Sequence, residues 1–479
     1  MTRFRLSIIM VLAGTASFLL SLNGCGSGSK STFVSPPPPS SSQYIKHVVV
    51  IFQENRTPDN LFQDPVLISR QADIANSGVN SLGRTIALSP IDLANDYDLS
   101  HAHPAFVEMC DLNAATNTCA MDGADRIGVS CAKGSTNCPP ANPQFMYVNP
   151  SDVQPYFALA EQYTFGDRMF QTNQGPSFPA HQFIISGTSA PSAGSNLFVS
   201  ENPKLGAGCA AVPGSTVALI DASGSETGST YPCFEHPTLT DLLNTKSVSW
   251  RYYTSAGAGS IWTAPNAIQH MCGPNAPPPN ATACTGADWT NNVVIANSQN
   301  PAPILTDIAN SQLATVSWVI PDGAESDHAL TNDGSGPSWV ASIVNAIGNS
   351  QYWSNTVIFI TWDDWGGWYD HVPPPQVLVN CAQWGCGYVY GFRVPLIVVS
   401  PYARAGYISH VTHDFGSILK FVEQTFGLAS LGYADAPADD FSDCFDFTQA
   451  PIKFQTIPAP LDAAHFLNDH RPQTDPDDD

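Results

Sequence analysis

Residues Tyr44 to Phe62 read YIKHVVVIFQENRTPDNLF, an unbroken apolar and β-branched run that stops abruptly at Glu54 and Asn55. A short run with no polar alternation reads as a strand buried on both faces, and such strands belong to mostly parallel sheets covered by helices. Sheets of that kind hold ligands in the crevice beyond the carboxyl ends of their strands. The residues that end the run therefore sit where chemistry is done. The pattern recurs far downstream, where Asn355 to Asp364, NTVIFITWDD, ends in Asp363 and Asp364. Either acidic pair alone reads as a solvated strand end. Two such ends from remote parts of the chain, bearing carboxylates and a side-chain carbonyl, predict a shared site for a divalent cation.

The remaining strand candidates are Ser247 to Tyr253, Ala314 to Ile320 and Val394 to Ser400, beside His47 to Gln53 and Thr356 to Thr361. Helical spacing falls at Asp152 to Tyr163, Pro179 to Gly187, Pro337 to Ile347 and Asp414 to Phe426. The last has Asp414 as a candidate cap and Gly427 just beyond its end. Strands alternating with helices predict an α/β fold with a mostly parallel central sheet and long decorated loops. No internal repeat is present.

Residues 1–24 carry Arg3 and Arg5 and then an apolar stretch, the pattern of an export signal. Leu22-Asn23-Gly24-Cys25 resembles a lipobox, which predicts a lipid-modified Cys25 anchoring the chain to the bacterial cell envelope, periplasmic or surface-facing. Ordinary cleavage and secretion is the alternative. Residues 25–43 are rich in glycine, serine and proline and read as a flexible tether. Residues 44–462 read as one catalytic domain because its site residues come from both ends, and 463–479 as a solvated acidic tail.

Export predicts paired cysteines. Close spacings suggest Cys110 with Cys119, Cys131 with Cys138, Cys209 with Cys233, Cys272 with Cys284 and Cys381 with Cys386, leaving Cys444 over. The net charge of −23, with no basic cluster, argues against a nucleic-acid partner.

Gly175-Pro176-Ser177-Phe178-Pro179-Ala180-His181 precedes an apolar helical segment. A proline two residues after Ser177 suits the first helical turn, where free N–H groups and the helix dipole favour an anion. Ser177 is thus either a nucleophile for a phosphate held there or a simple capping serine. Among the twelve histidines, His101, His270 and His328 lie in loops or at element ends, placed to touch a metal or phosphate oxygens or to assist a leaving oxygen.

These residues resemble a known family. QENRTPDNLF is similar to the E-N-R-S-F-D-x-x-F signature, and TWDDWGGWYDHVPPP to the T-x-D-E-x-G-G-x-Y-D-H-V-x-P-P signature, of the bacterial phosphoesterase family. That family contains phosphatidylcholine-type phospholipases C and respiratory-burst-inhibiting acid phosphatases. The likeness extends over GPSFPAHQFIISG, Ser326-Asp327-His328, GFRVPLIVVSPYARAGYISH and DFGSILKFVEQTFG, most of the stretch from Ile45 to Phe447. It implies an alkaline-phosphatase-like three-layer α/β/α sandwich and metal-assisted phosphoryl transfer through a phosphoserine. Matched to the signatures, Glu54, Asn55, Asp363 and Asp364 fall on metal ligands and Ser177 on a nucleophile that also touches the metal. His101, His270 and His328 fall near phosphate-contacting histidines. The implied cofactor is one divalent ion, with calcium, magnesium, manganese, zinc and iron all open, and the implied partner is a phosphate ester such as a phospholipid headgroup.

Thr57-Pro58 replaces Ser-Phe after the E-N-R triplet, Asp364 replaces a glutamate, and HDFGS stands at residues 413–417 where many phospholipases have D-H-T-S. A sulfatase is the enzymatic alternative, disfavoured by His181 standing where sulfatases have an arginine. An inactive surface protein that binds phosphorylated ligands is the alternative from another class. Loss of a metal ligand would mark it, and none is lost.

Overall fold

The computed structural model describes residues 40–113, 115–116, 118–221, 223–375 and 390–474. At its centre is a nine-stranded sheet made of β1 (His47–Gln53), β2 (Thr164–Phe170), β3 (Trp250–Thr254), β4 (Val293–Ile295), β5 (Val316–Val319), β6 (Thr356–Trp362), β7 (Arg393–Val399), β8 (Tyr407–Ser409) and β9 (His413–Asp414). Their order is β4-β3-β5-β1-β6-β7-β2-β8, with β9 also paired to β2. Only β7 runs against the others, being antiparallel to both β6 and β2. The two apolar runs of the sequence are the central strands β1 and β6, buried almost throughout.

Four helices matter for the site: α1 (Gln154–Gln162), α2 (Ser177–Ser186), α3 (Gly336–Gly348) and α4 (Phe415–Phe426). Strand alternation assigns them to the two faces. Phe52 packs edge-on against His181 of α2 and Phe415 of α4, and Phe359, whose partner across the sheet is Val50, meets Phe421 of α4. Trp362, three residues beyond Phe359 and so on the opposite face, packs against Tyr156 of α1. The sandwich therefore has α2 and α4 on one side and α1, with its neighbour α3, on the other. Asp414 caps α4 by accepting from the Ser417 N–H at 2.9 Å, and Gly427, at φ +61°, ends it in the left-handed region.

The expected bridges Cys110–Cys119, Cys131–Cys138, Cys209–Cys233 and Cys272–Cys284 are all formed, and Cys444 is free and buried. The Cys381 with Cys386 pair lies outside the described residues, as do the export signal and most of the tether. Ser41–Tyr44 form a helical turn, so regular structure starts just inside the stretch read as a tether. The tail differs from expectation. Residues 463–474 return to the domain: Phe466 is buried, Arg471 Nη1 lies 2.9 Å from Asp333 Oδ2, and the Ala324 N–H donates to Thr474 Oγ1 at 2.9 Å. An aromatic anchor and an arginine surrounded by carboxylates outweigh the polarity of that segment.

Candidate active site

Parallel pairing in register places Gln53 of β1 beside Trp362 of β6. The residues that follow, Glu54 and Asp363, therefore leave the sheet side by side. Asn55 adopts φ +64°, a left-handed conformation that asparagine tolerates better than most residues. There its N–H donates to Asp363 Oδ1 at 2.9 Å, and the Asp364 N–H donates to the same oxygen at 2.7 Å. Asp364 Oδ1 accepts from the Gly366 N–H at 2.7 Å. Gly366 sits at φ +61° with a Cβ position only 2.4 Å from the Asn55 carbonyl oxygen, so this turn closes only without a side chain.

Ser177 is the first residue of α2, after Pro176 and with Pro179 in the first turn. Its Oγ lies 3.5 Å from both Glu54 Oε2 and Asp364 Oδ2. The hydroxyl faces carboxylates, and the N-cap position is held by Pro176 and not by Ser177. One turn further along α2, His181 Nε2 is 3.2 Å from Glu54 Oε1 and Nδ1 is 3.4 Å from the Tyr252 hydroxyl. Since that hydroxyl donates to the Trp262 carbonyl at 2.8 Å, it accepts from Nδ1–H, and the lone pair on Nε2 points at Glu54.

The charges at this place are unbalanced. Burial, then the neighbouring charges of Asp363 and Asp364, push the Glu54 carboxyl well above the usual range. Burial draws His181 down to about 4 against the opposing charge of Asp363, so the imidazole is neutral at neutral pH. Asn55 Oδ1 and Asp363 Oδ2 are buried with no hydrogen-bond partner, a costly condition for polar oxygens. Glu54, His181 and Asp363 also present donor atoms within 4.8 Å of one another. Glu54, Asn55, Asp363 and Asp364 with Ser177 thus make an oxygen-rich donor set that fits a divalent cation.

His101 and His328 line the same place. His101 Nδ1 is 2.9 Å from the Leu99 carbonyl and Nε2 is 3.0 Å from Asn55 Nδ2, which fixes the Asn55 amide with its nitrogen toward His101. His328 Nδ1 donates to the Ala329 carbonyl at 2.7 Å, and its ring is 5.6 Å from that of His101 and 6.0 Å from Trp262. His270 stands elsewhere. Its ring nitrogens lie 2.9 Å from Glu235 Oε1 and 3.3 Å from Asp241 Oδ1, and the bond to Asp241, followed by the other carboxylate contacts, raises it to about 9. An imidazole committed to two carboxylates is an ion-pair partner and not a phosphate contact, which corrects its expected role. The residue missed from sequence is His181, whose four-residue spacing from Ser177 along one helix was the available signal.

The second half of the late signature has a different part. Arg393, fully buried, gives Nε and Nη2 to Asp370 at 2.9 Å each, Nη2 also to Asp59 at 3.3 Å, and Nη1 to the Asp73 and Asp167 carbonyls at 2.8 Å. His371 bridges Asp59 at 2.7 Å and Asp73 at 3.0 Å. Asp59, Asp370 and His371 are close enough to hold an ion, but the guanidinium already occupies that place with all five donors satisfied.

The carboxylates at the ends of β1 and β6 thus face the first residue of α2. The sequence matches the phosphoesterase family over residues 45–429, and the chain belongs to that family, a class of phosphoric ester hydrolases. It is 25% identical over 336 residues to a hemolytic phospholipase C of Pseudomonas aeruginosa, a match covering 64% of this chain and 43% of that protein, so the chain spans under half of that relative's length. It is 24% identical over 471 residues to phospholipase C A of Mycobacterium tuberculosis, covering 92% of this chain and 84% of that one. A solved structure from Vibrio parahaemolyticus, a protein in the alkaline phosphatase superfamily, aligns with TM-score 0.34 at 11% identity over 61% of this chain and 65% of that one. That likeness is too distant to carry an argument.

Proposed function

We propose that this chain hydrolyses phosphate esters, as an acid phosphatase or phospholipase C, through a phosphoserine formed on Ser177. One observation carries the reading: Ser177 Oγ lies 3.5 Å from both Glu54 Oε2 and Asp364 Oδ2, in a site where Asn55 Oδ1 and Asp363 Oδ2 lack partners. Glu54, Asn55, Asp363, Asp364 and Ser177 would hold one divalent ion, whose identity the oxygen donors leave among calcium, magnesium and manganese, with neighbouring His181 admitting zinc or iron. When bound, such an ion supplies positive charge to the phosphate oxygens and acidifies the serine hydroxyl.

The chain's own residues supply the rest. The opening turn of α2 orients the phosphoryl group toward Ser177. Ser177 gives up its hydroxyl proton to solvent, and Oγ forms the new bond to phosphorus as the bond to the leaving alcohol oxygen breaks. When protonated on both nitrogens, His328, with Nδ1–H held by the Ala329 carbonyl, hands its Nε2 proton to that oxygen and becomes neutral. Water then gives a proton to His328 Nε2 as it attacks the phosphoserine, the bond from phosphorus to Ser177 Oγ breaks, phosphate leaves, and Oγ takes up a proton from solvent. His101 serves by orienting Asn55.

Phospholipase C relatives support a phospholipid headgroup as substrate. One catalytic domain that takes in the docked residues 463–474, and export with attachment through a lipidated Cys25, belong to the same proposal. Among the described residues no helix is long and apolar enough to cross a membrane. The test is turnover of a phosphomonoester, a phosphodiester, phosphatidylcholine and a sulfate ester, each with and without chelator. Chelator-sensitive phosphate release from at least one phosphate ester is expected. Faster turnover of the sulfate ester than of all three phosphates would overturn it.

A further inference from the structure

Cys444 is left unpaired by the bridges and HDFGS departs from the phospholipase pattern, and the two features meet in space. β8 and β9 both lie along β2, bringing Ser409 and His413 to one side of it. The short helical turn Ser442–Cys444 returns to this edge, held by the Arg404 N–H donating to the Cys444 carbonyl at 2.9 Å and by the Phe441 ring 4.5 Å from that of His413. His413, Cys444 and Ser409 are fully buried, and Asp443 is partly buried, with 22% of its side chain exposed.

We propose that His413, Asp443 and Cys444, with Ser409 or a water as fourth donor, form a second metal site of the zinc class whose role is structural. His413 Nε2 lies 3.9 Å from Cys444 Sγ and 3.8 Å from Asp443 Oδ1, and Sγ lies 3.5 Å from Oδ1. Tetrahedral zinc, with bonds of about 2.0–2.3 Å, keeps its donors roughly 3.3–3.6 Å apart. The triangle needs to contract by only a few tenths of an ångström. Ser409 Oγ is 3.0 Å from His413 Nε2, on the same side. The other ring nitrogen of His413 lies 2.9 Å from Asp439 Oδ1. A carboxylate behind the imidazole is the usual device that orients a metal-binding histidine and raises its basicity.

The mixed thiolate, imidazole and carboxylate set selects a soft, tetrahedral ion, unlike the oxygen-rich site at Glu54. On binding, the Cys444 thiol gives its proton to solvent and its sulfur to the metal. The ion ties the 439–444 segment to the strands that lead into α4. A thiol hydrogen-bonded to Asp443 in a metal-free network is the competing reading. The proposal does not depend on the reaction assigned to Ser177.

Cobalt(II) separates the two readings, because only a thiolate ligand gives the sulfur-to-cobalt charge-transfer band in the near ultraviolet. The full-length cobalt-loaded protein should show that band. Asp363→Asn should keep it, as should the double change Cys381→Ser with Cys386→Ser, whereas Cys444→Ser and His413→Gln should abolish it and lower the bound zinc by one ion per chain. Absence of the band from the folded parent, or its survival in Cys444→Ser, would overturn the site. If Cys444→Ser fails to fold, His413→Gln decides by the same spectrum.

Discussion

Asp59 and Asp370 are as deeply buried as Glu54 and Asp363, yet the two pairs meet different company. The first pair surrounds Arg393, whose five donors are spent on carboxylates and backbone carbonyls. The second meets a neutral imidazole, a serine hydroxyl and an asparagine, and leaves two oxygens without partners. Burial of like charges is tolerated where a cation is built into the chain, and elsewhere it calls for one from outside. The late signature thus divides into a half at Asp363-Asp364 that the proposal assigns to the metal and a half at Asp370-His371 that is tied to Arg393.

The largest effect should come from Ser177→Ala. Turnover of a chromogenic phosphate ester should fall by several orders of magnitude while thermal unfolding and bound metal stay as in the parent. Unchanged turnover would remove Ser177 from the reaction. Next is Arg393→Met, which takes the buried guanidinium from Asp370 and leaves Asp59 with His371 as its remaining cationic partner. Chemical denaturation should show a loss of about 3–5 kcal/mol. A loss no larger than that of a surface substitution would mean that the cluster is not held together by Arg393.

A smaller effect of opposite sign sharpens the comparison. In chelator, Asp363→Asn relieves repulsion with Glu54 and should raise stability by on the order of 1 kcal/mol; without chelator it should weaken metal binding. Asp370→Asn should destabilise in both conditions. If both variants respond alike to chelator, the distinction between the clusters fails.

The smallest effect concerns pH. Burial alone would lower His371, but the Asp59 bond and charge, with the charge of Asp370, outweigh it and raise the group from 6.5 to about 9. A pKa higher in the folded chain means a contribution present in full below pH 6.5 and lost as pH rises through about 9. His270 behaves alike and contributes a parallel slope. His371→Gln should therefore flatten the fall in stability across that window relative to the parent without removing it. An identical slope would show that His371 gains nothing from its carboxylates.

The two central strands were legible because each is an unbroken apolar run with its candidate ligands directly at the end. That they are neighbours was not, since register is a property of the assembled sheet. Strand β2 was missed because Gly166, Asp167 and Arg168 interrupt its apolar pattern. In the fold those charges are answered, with Asp167 Oδ2 accepting from the Asp73 N–H at 2.8 Å and Arg168 Nη2 at 2.5 Å from Asp73 Oδ2. Ser177 was readable from the proline in its turn. The histidines were not, because spacing says nothing of which carboxylate a ring will meet, as the pairing of His270 with Glu235 and Asp241 shows. The length of the tail was misjudged because a single arginine and phenylalanine decide where a polar segment docks.

The most direct test is a crystal of chelator-treated protein soaked in manganese and examined by anomalous scattering. A peak should stand within bonding distance of Glu54, Asn55 Oδ1, Asp363 Oδ2 and Asp364, beside Ser177 Oγ, with none among Asp59, Asp370 and His371. Density at the Arg393 cluster in its place, or these four side chains clear of any ion at saturating manganese, would contradict the account.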